Sequence, residues 1–181
     1  MDILQQTIAV YERMRKKSYR ITIDNGEEIL LRFLPSNYHH LAGFQHLVDV
    51  GSLSNPKSKD LFYGEIKRGK VQCEKVQRSA CFHEISERLT SFGVLEEILA
   101  EGDAKIIVEY DKSKLSSEIE AKYYLYRRVG DQFAGNVKYH ILFLGCRDME
   151  YYPSTYIVEH SNIYIRDQEL HFCKIEHCEL Q

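Results

Sequence analysis

The chain reads LPSNYHHLAGFQHLVDV from Leu34 to Val50, a short apolar stretch that carries three histidines. Pro35 excludes a helix before it, and the small polar residues that follow can accept hydrogen bonds from free backbone amides, so a helix is predicted to begin at Ser36 or Asn37. At ~100° per residue the apolar side chains fall on one arc, and His40 falls inside it. We therefore expect His40 at the core or at the edge of a cleft. The polar side chains expected to be solvated on the opposite face are His39, His46 and Asp49.

Length, composition and charge exclude several classes of protein. A chain of 181 residues with 44% hydrophobic content predicts a single domain over residues 1–181 that needs no disulfide scaffold. The sequence shows no transmembrane run and no signal peptide, and its five cysteines are scattered, so we expect a cytoplasmic protein with free thiols and no membrane contact. A net charge of −3 argues against a protein that coats nucleic acid, although it permits a local basic patch.

The N-terminal region predicts one helix and one hairpin. A helix is expected over residues 2–17, where apolar side chains keep helical spacing without Gly or Pro. A β-hairpin is expected over residues 19–33, because Asn25-Gly26 is the pair that a tight type I′ turn needs. Residues 51–59 are rich in Ser, Asn, Pro and Lys and predict a loop.

Two further features precede the strands. Residues 63–70 place Lys67 and Lys70 near two glycines, which describes either a turn that approaches a phosphate or a solvated turn. A long amphipathic helix is expected from Ser79 to Gly102. Gly93 inside it marks a close packing contact or a break into two helices.

After residue 103 the hydrophobic period changes from that of helices to that of strands. The predicted strands cover residues 105–110, 117–128, 137–145, 155–160 and 163–166. Helices first and short strands afterwards predict an α+β fold. We expect the N-terminal helices and the hairpin to pack on a C-terminal antiparallel meander of about four strands.

One face of the predicted strand over residues 117–128 is rich in reactive side chains. Strict alternation places Lys122, Tyr124, Tyr126 and Arg128 on the same side, and the next strand contributes His140. These groups can bind a phosphate or transfer protons. A solvated sheet surface, whose tyrosines cover aliphatic stems, explains the pattern equally well.

Neither metal sites nor nucleotide-cofactor sites are supported by the spacing of motifs. His39 and His46 are roughly 10 Å apart along a helix, which is too far for one ion. The C-terminal segment His171–Cys178 holds two histidines and two cysteines but lacks the paired spacing of a zinc site. The sequence contains no G-x-S-x-G elbow, P-loop or dinucleotide fingerprint. We expect no metal and no cofactor.

The remaining inventory of His, Lys, Tyr and Thr suits acid–base chemistry on a phosphodiester. Imidazole moves protons, and cations stabilise charge on the phosphoryl oxygens. RNA is the substrate that requires the fewest catalytic groups from the protein, because its own 2′-hydroxyl can be the nucleophile. The protein then needs to supply only a base, an acid and a positive clamp.

Four segments together resemble a known nuclease family. They are residues 37–44 (NYHHLAGF), Gly69-Lys70, residues 117–126 (SEIEAKYYLY) and residues 151–157 (YYPSTYI). The chain is similar to the fourth phage-associated family of the barnase, EndoU, colicin and RelE superfamily, called BECR. The resemblance implies a small RNase with helices packed on an antiparallel sheet. Its Asn-x-x-His-Leu and Pro-x-Thr elements correspond to His40 and Thr155, whereas Lys122 stands where an acidic residue is common in the family.

The predicted function is that of a metal-independent endoribonuclease that acts through a 2′,3′-cyclic phosphate. His40 is the expected general base or acid. Tyr124 and Thr155 are expected to donate to the phosphoryl oxygens, and Lys122 and His140 to supply positive charge or the second proton transfer. The predicted substrate-binding residues are Lys67, Lys70, Tyr126 and Arg128.

Two other classes stay open at this stage. The first is a non-catalytic module of the same fold that binds RNA or a protein through its cationic and tyrosine-rich face. The second, more distant class is a small-molecule transferase. The partners considered are RNA as the substrate and an inhibitor or immunity protein, with no membrane.

Overall fold

The architecture is α+β, with helices packed against one face of a seven-stranded antiparallel sheet. The structure, a computed structural model, describes residues 2–115, 117–131 and 135–179. In that part of the chain the α-helices are α1 (Ile3–Arg15), α2 (Tyr38–Leu41), α3 (Gly51–Ser54), α4 (Lys59–Lys67), α5 (Cys73–Gln77), α6 (His83–Thr90) and α7 (Val94–Ile98). The strands are β1 (Lys17–Ile23), β2 (Glu28–Arg32), β3 (Gly102–Glu109), β4 (Tyr123–Val129), β5 (Lys138–Arg147), β6 (Glu150–Glu159) and β7 (Glu169–Glu179).

The sheet has the strand order β2-β1-β7-β3-β4-β5-β6, and it is nearly closed, with β2 and β6 at its two edges. The last strand in the chain, β7, pairs with both β1 and β3. It therefore joins the N-terminal hairpin to the later strands. The predicted α+β class agrees with this fold, but the separate C-terminal meander of about four strands is not confirmed, because all seven strands form one sheet.

The main core lies between the helices and the sheet. Alternation along β1 and β2 buries one face of the hairpin, and α1 places Tyr11 against it. The ring of Tyr11 packs edge-on against Phe33, Tyr38 and Tyr63, with centroids 5.2 to 5.8 Å apart. Burial of such side chains stabilises the fold by roughly 1.5–3 kcal/mol each. This aromatic centre ties α1, α2 and α4 to the hairpin.

A second, smaller cluster lies on the other face of the sheet. It consists of Val108, Tyr110, Tyr124, Ile141 and Phe143. The apolar side chains that pack against it come mainly from the irregular segments before β4 and β7. Both faces of the sheet are consequently buried over the first three residues of β4 and over the central part of β5.

The stretch from Leu34 to Val50 is not one continuous helix. It forms a 3₁₀ turn, the single turn of α2, and a second 3₁₀ turn at Phe44–His46. Gly43 separates the last two with a φ of 84°, and a Cβ at this position would lie 2.9 Å from the side chain of Ile85. The left-handed conformation changes the direction of the chain, so a single helical period does not apply across it.

Several local predictions are confirmed, with one correction to the hairpin turn. The predicted N-terminal helix and hairpin correspond to α1, β1 and β2, and the predicted long helix is broken near Gly93 into α6 and α7. The predicted two-residue turn of the hairpin is wrong. The amide of Ile23 bonds to the carbonyl of Glu27, so the connection has three residues, Asp24 to Gly26.

Other local predictions are wrong. Residues 51–59 contain α3, and residues 63–67, predicted to form a turn, belong to α4. The described residues from 117 to 122 are not in a strand, and β4 begins only at Tyr123. Residues 163–166 form a turn instead of a strand, while β7 was not predicted.

Candidate active site

A cleft of about 1010 Å³ opens between the two edge strands of the sheet, β2 and β6. One wall is formed by alternate side chains of β2, and the opposite wall by the β5–β6 hairpin over residues 147–154. Two side chains from the helical layer, His40 of α2 and Lys59 of α4, complete the lining. The cleft thus lies where the sheet fails to close.

His40 is half-buried in this cleft and is held by a cation. Its Nε2 lies 2.5 Å from the Nζ of Lys59. Burial lowers the pKa of His40 to about 4, and the positive charge of Lys59 adds to this effect. The imidazole is therefore neutral at physiological pH, and its Nε2 accepts a hydrogen bond from the Lys59 ammonium. A neutral imidazole with an adjacent ammonium provides both a proton acceptor and a proton donor.

The neighbouring His39 is a structural residue. It is 1% exposed, and its Nε2 donates to the carbonyl oxygen of Leu53 at 2.8 Å. Its ring packs among the aromatic side chains of Phe44 and Phe62. The prediction that His39 is solvated is wrong, because the single turn of α2 and the bend at Gly43 direct its ring into the core.

The charges that line the cleft are arranged along β2. Arg32 lies at the end of β2 that leads into the His40 segment, and Glu28 lies at the other end. The carboxylate of Glu28 is 3.7 Å from the guanidinium of Arg20. The opposite wall contributes Arg147 with the carboxylates Asp148 and Glu150. The cations Arg32 and Lys59 therefore lie at the His40 end of the cleft.

Two tyrosines of β6 present aromatic surface to the cleft, Tyr151 and Tyr152. Tyr152 is the cross-strand partner of Gly145. A Cβ at Gly145 would lie 2.4 Å from the ring of Tyr152, so the ring rests directly on the backbone of β5. Only glycine permits this close approach, and it fixes the orientation of the Tyr152 ring.

Lys122 belongs to a network centred on Glu27, beside the cleft. The Glu27 carboxylate accepts hydrogen bonds from Lys122 at 2.6 Å, from Tyr123 at 2.7 Å, and from Tyr151. Burial alone would raise the pKa of Glu27, but these hydrogen bonds outweigh it and lower the pKa to about 2. Lys122 is thus paired with a carboxylate, and it is not among the described residues that line the cleft.

Tyr124 and Thr155 do not face the cleft. Tyr124 is fully buried in the second cluster, where its hydroxyl donates to the carbonyl oxygen of Tyr164. Thr155 is the cross-strand partner of Phe143, a member of the same cluster. Residues directly opposite each other in antiparallel strands share one face of the sheet. The structure therefore separates both residues from His40.

His140 is buried on the helical side of the sheet, away from the cleft. It is 3% exposed, and its Nδ1 lies 2.8 Å from the hydroxyl of Tyr156. That hydroxyl in turn donates to the carbonyl oxygen of Ser91 at 3.1 Å. Burial lowers the pKa of His140. The arrangement links β5 and β6 to the end of α6.

The four predicted substrate-binding residues are dispersed over the molecule. Lys67 lies at the end of α4, with its Nζ 2.7 Å from Glu12. Lys70 is exposed after that helix, and Arg128 is exposed near the end of β4. Tyr126 packs its ring beside Tyr124 and Tyr139. Of the nine predicted site residues, the described lining of the cleft contains His40.

Lys59, Arg32 and Arg147 line the cleft but were not predicted as site residues. Lys59 was predicted to lie at the end of a loop. Nothing in the sequence around a lysine at the start of a helix distinguishes a functional side chain from an ordinary solvated one. Arg32 was visible as a polar residue on the outward face of the hairpin, where solvation is the ordinary outcome. Their approach to His40 depends on the packing of α2, α4 and β2, which no local pattern specifies.

Comparison with known proteins identifies the family. A family model described as phage-Barnase-EndoU-ColicinE5/D-RelE like nuclease 4 matches residues 3–170. No curated protein and no solved structure matches the chain significantly. In the described part of the chain, none of the helices combines the length and apolar character needed to cross a membrane. The match covers nearly the whole chain and agrees with the resemblance seen in its motifs, so the chain belongs to this BECR nuclease family.

Proposed function

We propose that this protein is an endoribonuclease that cleaves RNA in the β2–β6 cleft, without a metal ion, through a 2′,3′-cyclic phosphate. The observation that carries the proposal is the neutral imidazole of His40, which faces the cleft with its Nε2 at 2.5 Å from the Lys59 ammonium. Membership of a nuclease family supports nucleic acid as the substrate class. The pairing of a base and an acid supports a reaction that transfers two protons.

The proposed reaction begins when a substrate phosphate enters the cleft. The Lys59 ammonium moves toward the phosphoryl oxygens and releases Nε2 of His40. Because the nearby positive charge lowers the pKa of His40, its departure makes the imidazole a stronger base. His40 then takes the proton of the ribose 2′-hydroxyl, and the 2′-oxygen forms a bond to phosphorus.

The leaving group requires the second proton. As the bond between phosphorus and the 5′-oxygen breaks, the Lys59 ammonium donates a proton to that oxygen. The products are a 2′,3′-cyclic phosphate and a 5′-hydroxyl. His40 then passes the proton that it took from the 2′-hydroxyl to the neutral amine of Lys59 through their direct contact, which restores the starting state. Arg32 stabilises the charge that develops on the phosphoryl oxygens.

The aromatic wall supports a single-stranded substrate. Tyr151 and Tyr152 line the cleft opposite β2, and unstacked RNA bases commonly stack on tyrosine rings. The ring of Tyr152 is already oriented by its contact with Gly145. A duplex would keep its bases inside the helix and could not use these surfaces.

The cellular setting is part of the same proposal. All five cysteines are unpaired, which suits the reducing cytoplasm. A nuclease that acts there requires control, and a protein with an acidic surface would fit the end of the cleft that carries Arg32 and Lys59. An inhibitor or immunity protein of that character would compete with RNA for the same cations.

The test compares three variants with the parent protein on a labelled mixed-sequence RNA in EDTA. His40→Ala is expected to lower cleavage by roughly 10²- to 10⁴-fold with little change in RNA affinity, because the imidazole acts by transferring a proton. Lys59→Ala is expected to lower cleavage to a similar extent and also to weaken RNA binding, because its ammonium both transfers a proton and contacts the phosphate. His83→Ala, an exposed histidine outside the cleft lining, is the matched control and should cleave normally. Mass spectrometry of the parent's products should find 2′,3′-cyclic phosphates.

Three results would contradict the proposal. Equal cleavage by the parent and His40→Ala would exclude His40 as the base. Cleavage of an oligonucleotide that has deoxyribose at every position would exclude the 2′-hydroxyl as the nucleophile. Tight RNA binding by the parent without cleavage of any RNA tested would favour the non-catalytic binding module.

A further inference from the structure

Four titratable side chains meet at a second place in the molecule, at the ends of β3 and β7. They are Asp24 in the β1–β2 turn, Glu109 on β3, and Glu169 and His171 on β7. None of them is among the described residues that line the cleft. The cluster therefore serves no role in the proposed reaction.

Strand pairing forces two carboxylates of this cluster together. Glu109 and Glu169 are direct cross-strand partners, and His171 is the partner of Ile107 two residues further along. Side chains two residues apart on a strand share a face, so both carboxylates and the imidazole point the same way. Like charges directly opposite each other destabilise a sheet unless a positive charge lies between them.

The imidazole of His171 is oriented by Asp24. Its Nδ1 lies 3.1 Å from one carboxylate oxygen of Asp24, and the other oxygen accepts a hydrogen bond from the Phe172 amide at 3.0 Å. The Nδ1 proton therefore points to Asp24, and the opposite nitrogen, Nε2, points at the two glutamates. This Nε2 is shielded from solvent and has no hydrogen-bond partner among the described residues. The carboxylate–histidine arrangement is the one that commonly supports a histidine ligand of a metal.

The distances around Nε2 fit metal ligands better than hydrogen bonds. Nε2 is 3.5 Å from a carboxylate oxygen of Glu109 and 3.6 Å from one of Glu169. Both separations exceed the usual range for a hydrogen bond, ~2.7–3.2 Å. Ligand bonds of ~2.0–2.2 Å to a tetrahedral ion place neighbouring ligand atoms ~3.3–3.6 Å apart. The ligand atoms of all three residues lie within 4.8 Å of one another, so one atom from each can approach a common ion.

We infer that Glu109, Glu169 and His171 bind one divalent zinc ion, with Asp24 holding the imidazole and water completing the coordination. One imidazole with two carboxylates suits zinc, whereas calcium requires six or more oxygen ligands. The ion neutralises the paired glutamates and fastens β7 to β3 and to the β1–β2 turn. No metal was expected from the sequence, since these residues come from three separate segments of the chain that only strand pairing brings together.

The experiment measures zinc binding by protein stripped with EDTA and then dialysed into buffer without chelator. Calorimetric titration with zinc chloride should saturate at about one equivalent, and zinc should raise the midpoint of thermal unfolding. Glu169→Gln and His171→Ala should each weaken binding at least tenfold, and Asp24→Asn by about 10- to 100-fold. Glu179→Gln changes an exposed glutamate at the other end of β7 and is the matched control.

The inference fails if the parent shows no saturable binding near one equivalent, or if Glu169→Gln and the control bind zinc equally well. Glu169 is 69% exposed on its side chain, so its substitution tests the site even if His171→Ala does not fold. A protonated His171 that pairs with the carboxylates by itself would give a protein whose unfolding midpoint does not respond to zinc. That result would also overturn the inference.

Discussion

His40 is half-buried and His140 is fully buried, and burial lowers the pKa of both, yet their surroundings differ. His40 faces a cleft and contacts a cation, whereas His140 is enclosed by protein and contacts the Tyr156 hydroxyl. A lowered pKa alone therefore does not mark a reactive histidine. Access to a cleft and a neighbouring proton donor separate the candidate base from the structural residue.

The largest expected effect separates these two histidines by substitution. His140→Ala should leave RNA cleavage within about twofold of the parent but lower the free energy of unfolding by about 2 kcal/mol, because it opens a cavity and removes a partner of a buried hydroxyl. His40→Ala should have the reverse profile, with a loss of cleavage of roughly 10²- to 10⁴-fold. Denaturant unfolding and single-turnover cleavage measure the two properties. A strong loss of cleavage in fully folded His140→Ala would place the reaction elsewhere.

The next effect uses pH to compare His40 with Glu27. The pKa of Glu27 is lowered to about 2 in the folded protein, so the stability it contributes is present above its ordinary value of 4.5 and is lost as pH falls from there toward 2. Glu27→Gln should lower the free energy of unfolding at pH 7 by about 1–3 kcal/mol and flatten its decline below pH 4.5. Urea unfolding between pH 7 and pH 3 measures both.

Cleavage has a separate dependence on pH in the same range. His40 cannot accept a proton once it is protonated, so kcat/KM should fall about tenfold per pH unit below about 4. Glu27→Gln should keep this fall in kcat/KM while it remains folded. If the fall in cleavage disappears together with the stability change, unfolding and not His40 controls the acid limb.

The smallest expected effect compares two arginines. Arg147 lines the cleft, whereas Arg128 lies near the end of β4 outside the described lining. Arg147→Ala should weaken RNA binding and reduce the slope of log affinity against log salt by about one phosphate contact, near 0.7 for a single strand. Arg128→Ala should leave the slope unchanged. Equal slopes for all three proteins would argue that RNA does not occupy the cleft, and a larger change for Arg128→Ala would favour the sheet face predicted from the sequence.

Local signals in the sequence were enough for several elements and for the family. Helical spacing specified α1, the Asn25-Gly26 pair located the hairpin, and Gly93 marked the break between α6 and α7. Each of these features depends on contacts between residues that are close in the chain, so each can be predicted from a short segment of sequence. The family resemblance, which is confirmed over residues 3–170, depends on motifs of the same length.

The candidate site could be predicted only in part. The position of His40 among apolar neighbours indicated a cleft edge, and the structure places it in the cleft lining. The same helical period gave the wrong environment for His39, because Gly43 bends the chain within this stretch. The alternation of side chains predicted that Lys122 and Tyr124 share one face of a strand. The strand β4 begins only after Lys122, and the Lys122 side chain bonds to Glu27 instead.

The sequence by itself determined the α+β class, the nuclease family and the neighbourhood of His40, since those follow from periodicity and short motifs. The tertiary structure alone decided that Lys59 meets His40, that β2 and β6 enclose a cleft, and that Glu109, Glu169 and His171 converge. The physical reason is that strand pairing and helix packing bury apolar surface contributed by the whole chain, so they depend on all of its segments together. The pairing of β7 with β1 and β3 joins residues at least 60 positions apart, and no local window contains both partners.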